Sequence, residues 1–165
     1  MTMSRGTLDG DAHRAGPALP PGGQRRRLPL AGLPKPVARA RAFTAEAVGD
    51  WYPPAGAPGA PGAPGAHEGV GADVVLLVAE LVANAMLHGD GPLELVLDAT
   101  GQRLRVEVSD RSPAMPVLRL PHEPALPGGH GLFIVERTAD RWGAEPNGRG
   151  KAIWAEFDAH RLTRR

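Results

Sequence analysis

Between Val74 and Leu87 the chain reads VVLLVAELVANAML, and this segment restricts the available folds more than any other. The stretch from Gly71 to His88 has the length of a helix and is apolar on almost every side, which predicts a largely buried helix. Asp73 is placed to cap it and Gly89 to end it. Glu80 and Asn84 interrupt the run and His88 follows it. Steps of four put all three on one stripe of the cylinder. Burying an unpartnered neutral polar group costs roughly 1–3 kcal/mol, and a charge costs more. The stripe therefore faces either a polar cavity or a satisfied internal network.

The remaining segments are arranged around this helix. From Pro36 to about Trp51, the residues Val37, Ala40, Arg41, Phe43, Thr44, Ala47, Val48 and Trp51 recur at steps of three and four. Pro34 and Pro36 stand before them, which predicts a first helix. LELVLD (Leu93–Asp98) and LRVEVSD (Leu104–Asp110) alternate with period two around Thr100, Gly101 and Gln102, as a hairpin does. Residues 110–127 carry prolines without a period and read as loop. Gly128, Gly129, His130 and Gly131 lead into an amphipathic helix from Leu132 to Trp142. The turn Pro146–Gly150 then precedes a closing strand, Ala152–Phe157. Helix, helix, strand, strand, loop, helix, strand is not the alternation of a doubly wound fold. It predicts an α+β two-layer sandwich, with a mixed, mostly antiparallel sheet covered by helices on one face.

The 22 glycines and 18 prolines among 165 residues fall mostly outside these segments. Residues 1–33, rich in Gly, Pro and Arg, read as a disordered tail. Residues 34–158 read as the folded domain, with an Ala-Pro-Gly-rich insert at 53–70, and residues 159–165 as a short basic tail. The net charge is +1, and Lys35 and Lys151 are the only lysines. So weak a field, with few aromatics, argues against direct nucleic-acid binding. No cysteine is present, which excludes disulfides and thiolate chemistry. Arg25, Arg26 and Arg27 are followed by no continuous apolar run, so neither a signal core nor a membrane span is expected there. A cytoplasmic protein is the expectation.

Three further pieces could carry chemistry. Asp110 ends the second hairpin strand, where an isolated Asp more often forms a turn. The glycines at 128–131 stand before a helix, and small residues there let backbone amides approach an anion. Gly148, Arg149, Gly150 and Lys151 form a glycine turn with a basic side chain. Taken together with Glu80 and Asn84, their order and spacing resemble the ATP-binding fold shared by histidine kinases, GyrB, Hsp90 and MutL. The nearest likeness is to the small bacterial anti-sigma-factor serine/threonine kinases. The strings that carry it are ELVANAMLHG (Glu80–Gly89), DRSP (Asp110–Pro113), GGHGL (Gly128–Leu132) and GRGK (Gly148–Lys151).

The resemblance implies ATP and Mg²⁺ as cofactors. Asn84 would hold the metal, an oxygen ligand suited to that hard cation. Glu80 would be the general base, one helical turn away. Asp110 would accept the exocyclic amine of adenine. Gly129, Gly131 and Leu132 would form the phosphate-side loop, and Gly150 and Lys151 would complete the nucleotide site. His88 reads as structural. The chain departs from the family pattern in three ways. Ser112 and Pro113 follow Asp110 where the pattern continues Asp-x-Gly. Pro127 stands where certain anti-sigma kinases have an arginine. Lys151 replaces a hydroxyl residue, bringing a positive charge but not the same hydrogen bond. The resemblance implies a kinase that phosphorylates a serine or threonine of an anti-sigma-factor antagonist. The second reading is a non-catalytic module that sequesters a sigma factor or another regulator in a nucleotide-dependent way. A domain that has lost nucleotide binding ranks last. Relatives of this size also imply a homodimer formed through the sheet side.

Overall fold

The computed structural model describes residues 19–53, 69–117 and 130–163. Nine elements follow one another: β1 (Gln24–Pro29), α1 (Pro36–Trp51), α2 (Val70–His88), β2 (Pro92–Ala99), β3 (Arg103–Asp110), α3 (His130–Thr138), β4 (Arg141–Asn147), β5 (Gly150–Asp158) and α4 (Ala159–Thr163). The strands form one sheet in the order β1-β2-β3-β5-β4. All four pairings are antiparallel, where a mixed, mostly antiparallel sheet was expected. The fold is α+β, an open sheet carrying helices.

Strand alternation sets the core. Leu95 and Leu97 of β2, Leu104, Val106 and Val108 of β3, and Ile153, Ala155 and Phe157 of β5 are buried together. Against them pack Ala40, Ala47, Val48 and Trp51 of α1, and Val74, Leu77, Val78, Leu81, Val82 and Ala85 of α2. Both central helices begin and end close to expectation. Pro36 opens α1 in the first helical turn, where a missing amide hydrogen costs nothing. Asp73, however, lies in the first turn of α2 and the N-cap is Gly69, without a side-chain cap bond. Nor is α2 buried on all sides, for Leu76, Met86 and Leu87 are exposed.

Three segments differ from their sequence reading. Residues 24–29, assigned to a disordered tail, form the edge strand β1 in register with β2 from Gln24↔Ala99 to Pro29↔Glu94. Arg26 donates to Asp50 of α1 at 2.7 Å and stacks over the Trp51 ring at 4.9 Å, while the Trp51 indole donates to Gln24. The helix expected over 132–142 stops at Thr138, whose carbonyl accepts Arg161 Nη1 at 3.1 Å. Arg141 and Trp142 instead pair with Glu156 and Ala155 of β5. Residues 159–163 of the expected basic tail form α4, whose first amide donates to Gln102 O at 2.8 Å. Most of the Ala-Pro-Gly insert, residues 54–68, lies outside the described residues, as do residues 1–18.

Candidate functional site

The end of α2 meets the end of β3. The Gly89 carbonyl accepts the amides of Arg111 at 2.9 Å and Ser112 at 3.0 Å, tying the chain after β3 to the helix terminus. Asp110 lies beneath this junction, 2% exposed. It shares strand parity with Leu104, Val106 and Val108, so the alternation that builds the core also carries its carboxylate inward. Two glycines make room for it. A Cβ on Gly89 would stand 2.5 Å from Asp110 Oδ2, and one on Gly150 would overlap the Asp110 carbonyl oxygen.

Lys151 is the register partner of Asp110 across β3 and β5 and is itself only 5% exposed. Its ammonium donates to Asp110 Oδ1 at 3.0 Å and to the Ser112 carbonyl at 3.3 Å. Asp110 Oδ1 also accepts the Ser112 amide at 3.0 Å. Lys151 was expected to bring positive charge to the nucleotide in place of a hydroxyl. That charge is held against Asp110.

Glu80 and Asn84 stand on α2, both half-buried, and His88 is exposed near its end. At 1.5 Å per residue, Asn84 lies about 7 Å and Glu80 about 13 Å along the axis from Gly89. One helix thus carries a carboxylate and a carboxamide and ends beside the buried Asp110. Gly131 and Leu132 fall in the first turn of α3, which packs against α2. Gly129 and Pro127 lie outside the described residues. The structure therefore joins Asp110, Gly150 and Lys151 directly, while Glu80 and Asn84 stand further back along α2. Sequence reasoning gave Gly89 a place as a helix stop and Ser112 one as a departure from the Asp-x-Gly pattern. Their roles at Asp110 depend on the helix end and the strand end meeting.

No cluster of three or more acidic, histidine or cysteine side chains able to hold a metal is found among the described residues. A concavity lies on the open face of the sheet and offers little to a ligand. Its charged walls are already paired, Arg25 with Asp98, Arg27 with Glu94, and Arg105 with Glu107.

A family model described as the histidine kinase-like ATPase domain matches residues 32–157. The chain belongs to that family. Its matched span runs from just before α1 to the last residues of β5 and takes in Glu80, Asn84, Asp110 and Lys151. No curated protein matches the chain. A histidine kinase-like ATPase domain implies ATP as its ligand, and the donor set fits such a molecule. At one end of α2 a buried acceptor and a buried donor stand side by side, as the edge of a heteroaromatic base requires. Further along, α2 carries a carboxamide and a carboxylate, both half-buried.

Proposed function

We propose that this histidine kinase-like ATPase domain is a regulator of the anti-sigma-factor type, using Mg-ATP to phosphorylate a serine or threonine of an antagonist protein. One observation carries the reading: the helix bearing Glu80 and Asn84 ends at Gly89 against the buried carboxylate of Asp110. Asp110 holds the exocyclic amine of adenine. Asn84 lends its carboxamide oxygen to Mg²⁺, a cation that binds through one or two protein oxygens and keeps waters and phosphate oxygens for the rest. Gly129, Gly131 and Leu132 form the phosphate-side wall, with Gly150 and Lys151 beside the base. Bound Mg-ATP supplies the activated phosphoryl group. Glu80 accepts the proton of the attacking hydroxyl, a role that needs hydrogen-bond reach and an ionised carboxylate. A cytoplasmic site of action, a sigma factor or antagonist as partner, and a homodimer belong to the same reading.

A second reading is favoured by Lys151, whose ammonium is engaged at Asp110 rather than beside Glu80 and Asn84. Without that cation at the phosphate end, the domain would act as a nucleotide-dependent module that captures a sigma factor or another regulator. Calorimetric titration of ATP with and without Mg²⁺ into wild type and Asn84→Ala tests both. Mg²⁺-dependent binding, weakened at least about tenfold in the variant, is the expected result. Absence of Mg²⁺-dependent binding in wild type would sink both readings. Slow ATP hydrolysis abolished in Glu80→Gln at unchanged affinity supports the kinase, whereas wild type that binds without turnover supports the capture module.

A further inference from the structure

Strand β1 is attached to the sheet mainly by charge and aromatic contact. None of its residues is fully buried, whereas its partner β2 buries Leu95, Leu97 and Ala99. On the open face Arg25 Nε donates to Asp98 at 3.0 Å and Arg27 to Glu94 at 3.3 Å. On the helix face Arg26 meets Asp50 at 2.7 Å and covers the Trp51 ring at 4.9 Å. Among the described residues no other cation pairs with these three carboxylates. The two open-face pairs are exposed to solvent, and such pairs contribute little and are screened by salt. β1 is also the first described element, so it leaves the edge without drawing another through it. Leu30, 1% exposed with its amide on the Leu93 carbonyl at 2.9 Å, anchors the chain just beyond.

We infer that the edge of β2 beneath β1 is a docking site for an arginine-bearing extended segment of a partner protein, with β1 as its built-in competitor. Removal of β1 leaves the outward amides and carbonyls of β2 unpaired, and an incoming strand satisfies them by β-augmentation. The flanking side chains choose that strand. Glu94 and Asp98 stand on one face of the edge, and Asp50 with Trp51 on the other. They select arginine at three successive positions, outward, inward and outward, as Arg25, Arg26 and Arg27 occupy them. The inward position favours arginine over lysine, because a planar guanidinium both pairs with a carboxylate and stacks on an indole. β2 separates this edge from β3 and Asp110, so the surface is distinct from the proposed nucleotide site.

A synthetic peptide of residues 22–29 is the probe, titrated into full-length chains. In the variant Arg25→Glu/Arg26→Glu/Arg27→Glu the strand is repelled from Asp98, Asp50 and Glu94, and the peptide binds in its place. Wild type binds the peptide at least about tenfold more weakly, because its own strand competes at high effective concentration. The peptide carrying Arg26→Ala binds the variant at least about tenfold more weakly than the parent peptide. A folded variant that ignores the peptide, or takes both peptides equally, overturns the site. Dimers of wild type that the peptide dissolves assign the edge to β1 of a second copy and overturn the partner reading. Hydrogen exchange of wild type decides the matter even if the variant does not fold. Amides bonded between β1 and β2 exchange at least about 100-fold faster than those between β3 and β5, as a separately opening strand requires. They exchange faster still in about 1 M salt, which screens the ion pairs. One common rate for both sets of amides overturns the displaceable strand.

Discussion

Two carboxylates on the same pair of strands are hidden from solvent in opposite ways. Asp110 of β3 points into the core side and is 2% exposed; Glu156 of β5 points to the open side and is 5% exposed. Glu156 lies between its register partners Arg105 and Arg141. With Arg103 they form a roof, donating to its two oxygens at 2.6 to 3.4 Å. Burial alone would push the Glu156 carboxyl up, but Arg141, Arg103 and Arg105 outweigh it and hold the group below the usual carboxylate range. Arginine stems cover apolar and polar surface while their heads stay wet, so an open sheet face can bury a charge without a second layer. Among the described residues Asp110 has one cation, Lys151, and that cation is buried with it. Three redundant, half-wet partners suit a structural carboxylate. One dry partner makes the buried charge of Asp110 depend on Lys151.

The largest effect separates the pair from the roof. Lys151→Met leaves Asp110 buried without a counter-charge, and breaking such a pair costs about 3–5 kcal/mol. Urea unfolding of the apo protein should show that loss. The double variant Lys151→Met/Asp110→Asn should recover much of it, because the uncompensated charge is gone. If the single variant unfolds within about 1 kcal/mol of wild type, the pair is wetter than its burial implies and the contrast with Glu156 disappears.

The same contrast marks what could be read in the sequence. The places of Glu80 and Asn84 on one helix and of Asp110 at a strand end were legible because helical steps of four and strand alternation of two are local rules. The contact of Lys151 with Asp110 spans 41 residues and depends on the β3/β5 register, which no local period supplies. β1 was missed for a related reason. Its inward side is Gln24, Arg26 and Leu28, and only Leu28 signals a core. Arg26 becomes a packing residue through Asp50 and Trp51 of α1, partners that the strand does not contain. The start of β4 was read as helix because Arg141 and Trp142 continue the period of α3, and pairing with β5 overrode it. The general fold survived these errors since its central helices and the β2/β3 hairpin are locally consistent.

Glu156→Gln should have a middling effect and a distinctive pH signature. At neutral pH it removes one charge from three charge-assisted contacts, a loss of about 1–3 kcal/mol. The sign follows from the depressed native value. Below the ordinary glutamate pKa near 4.3 the unfolded chain takes up a proton that the folded chain resists, so the stabilisation is complete above that pH and fades as pH falls through the native value. Chemical melts from pH 7 down to about pH 3 should therefore show wild type losing stability toward the variant across the acid window. A gap that stays constant with pH would mean that the roof holds Glu156 by packing rather than by charge.

The smallest effect is expected within the roof itself. Arg103 is 44% exposed on its side chain, and its removal leaves Arg105 and Arg141 on the same carboxylate. Arg103→Ala should cost less than about 1 kcal/mol, the usual worth of a solvent-exposed ion pair. That cost should shrink further in about 1 M salt, where the screening length falls to about 3 Å. The Lys151–Asp110 pair is dry on both sides, so the Lys151→Met deficit should change little under the same salt. Parallel urea melts of both variants at low and high salt put the comparison to its finest test. If the two deficits fall in proportion, solvent reaches Asp110 as freely as it reaches the roof, and the sealed pair is no more a special environment than Glu156.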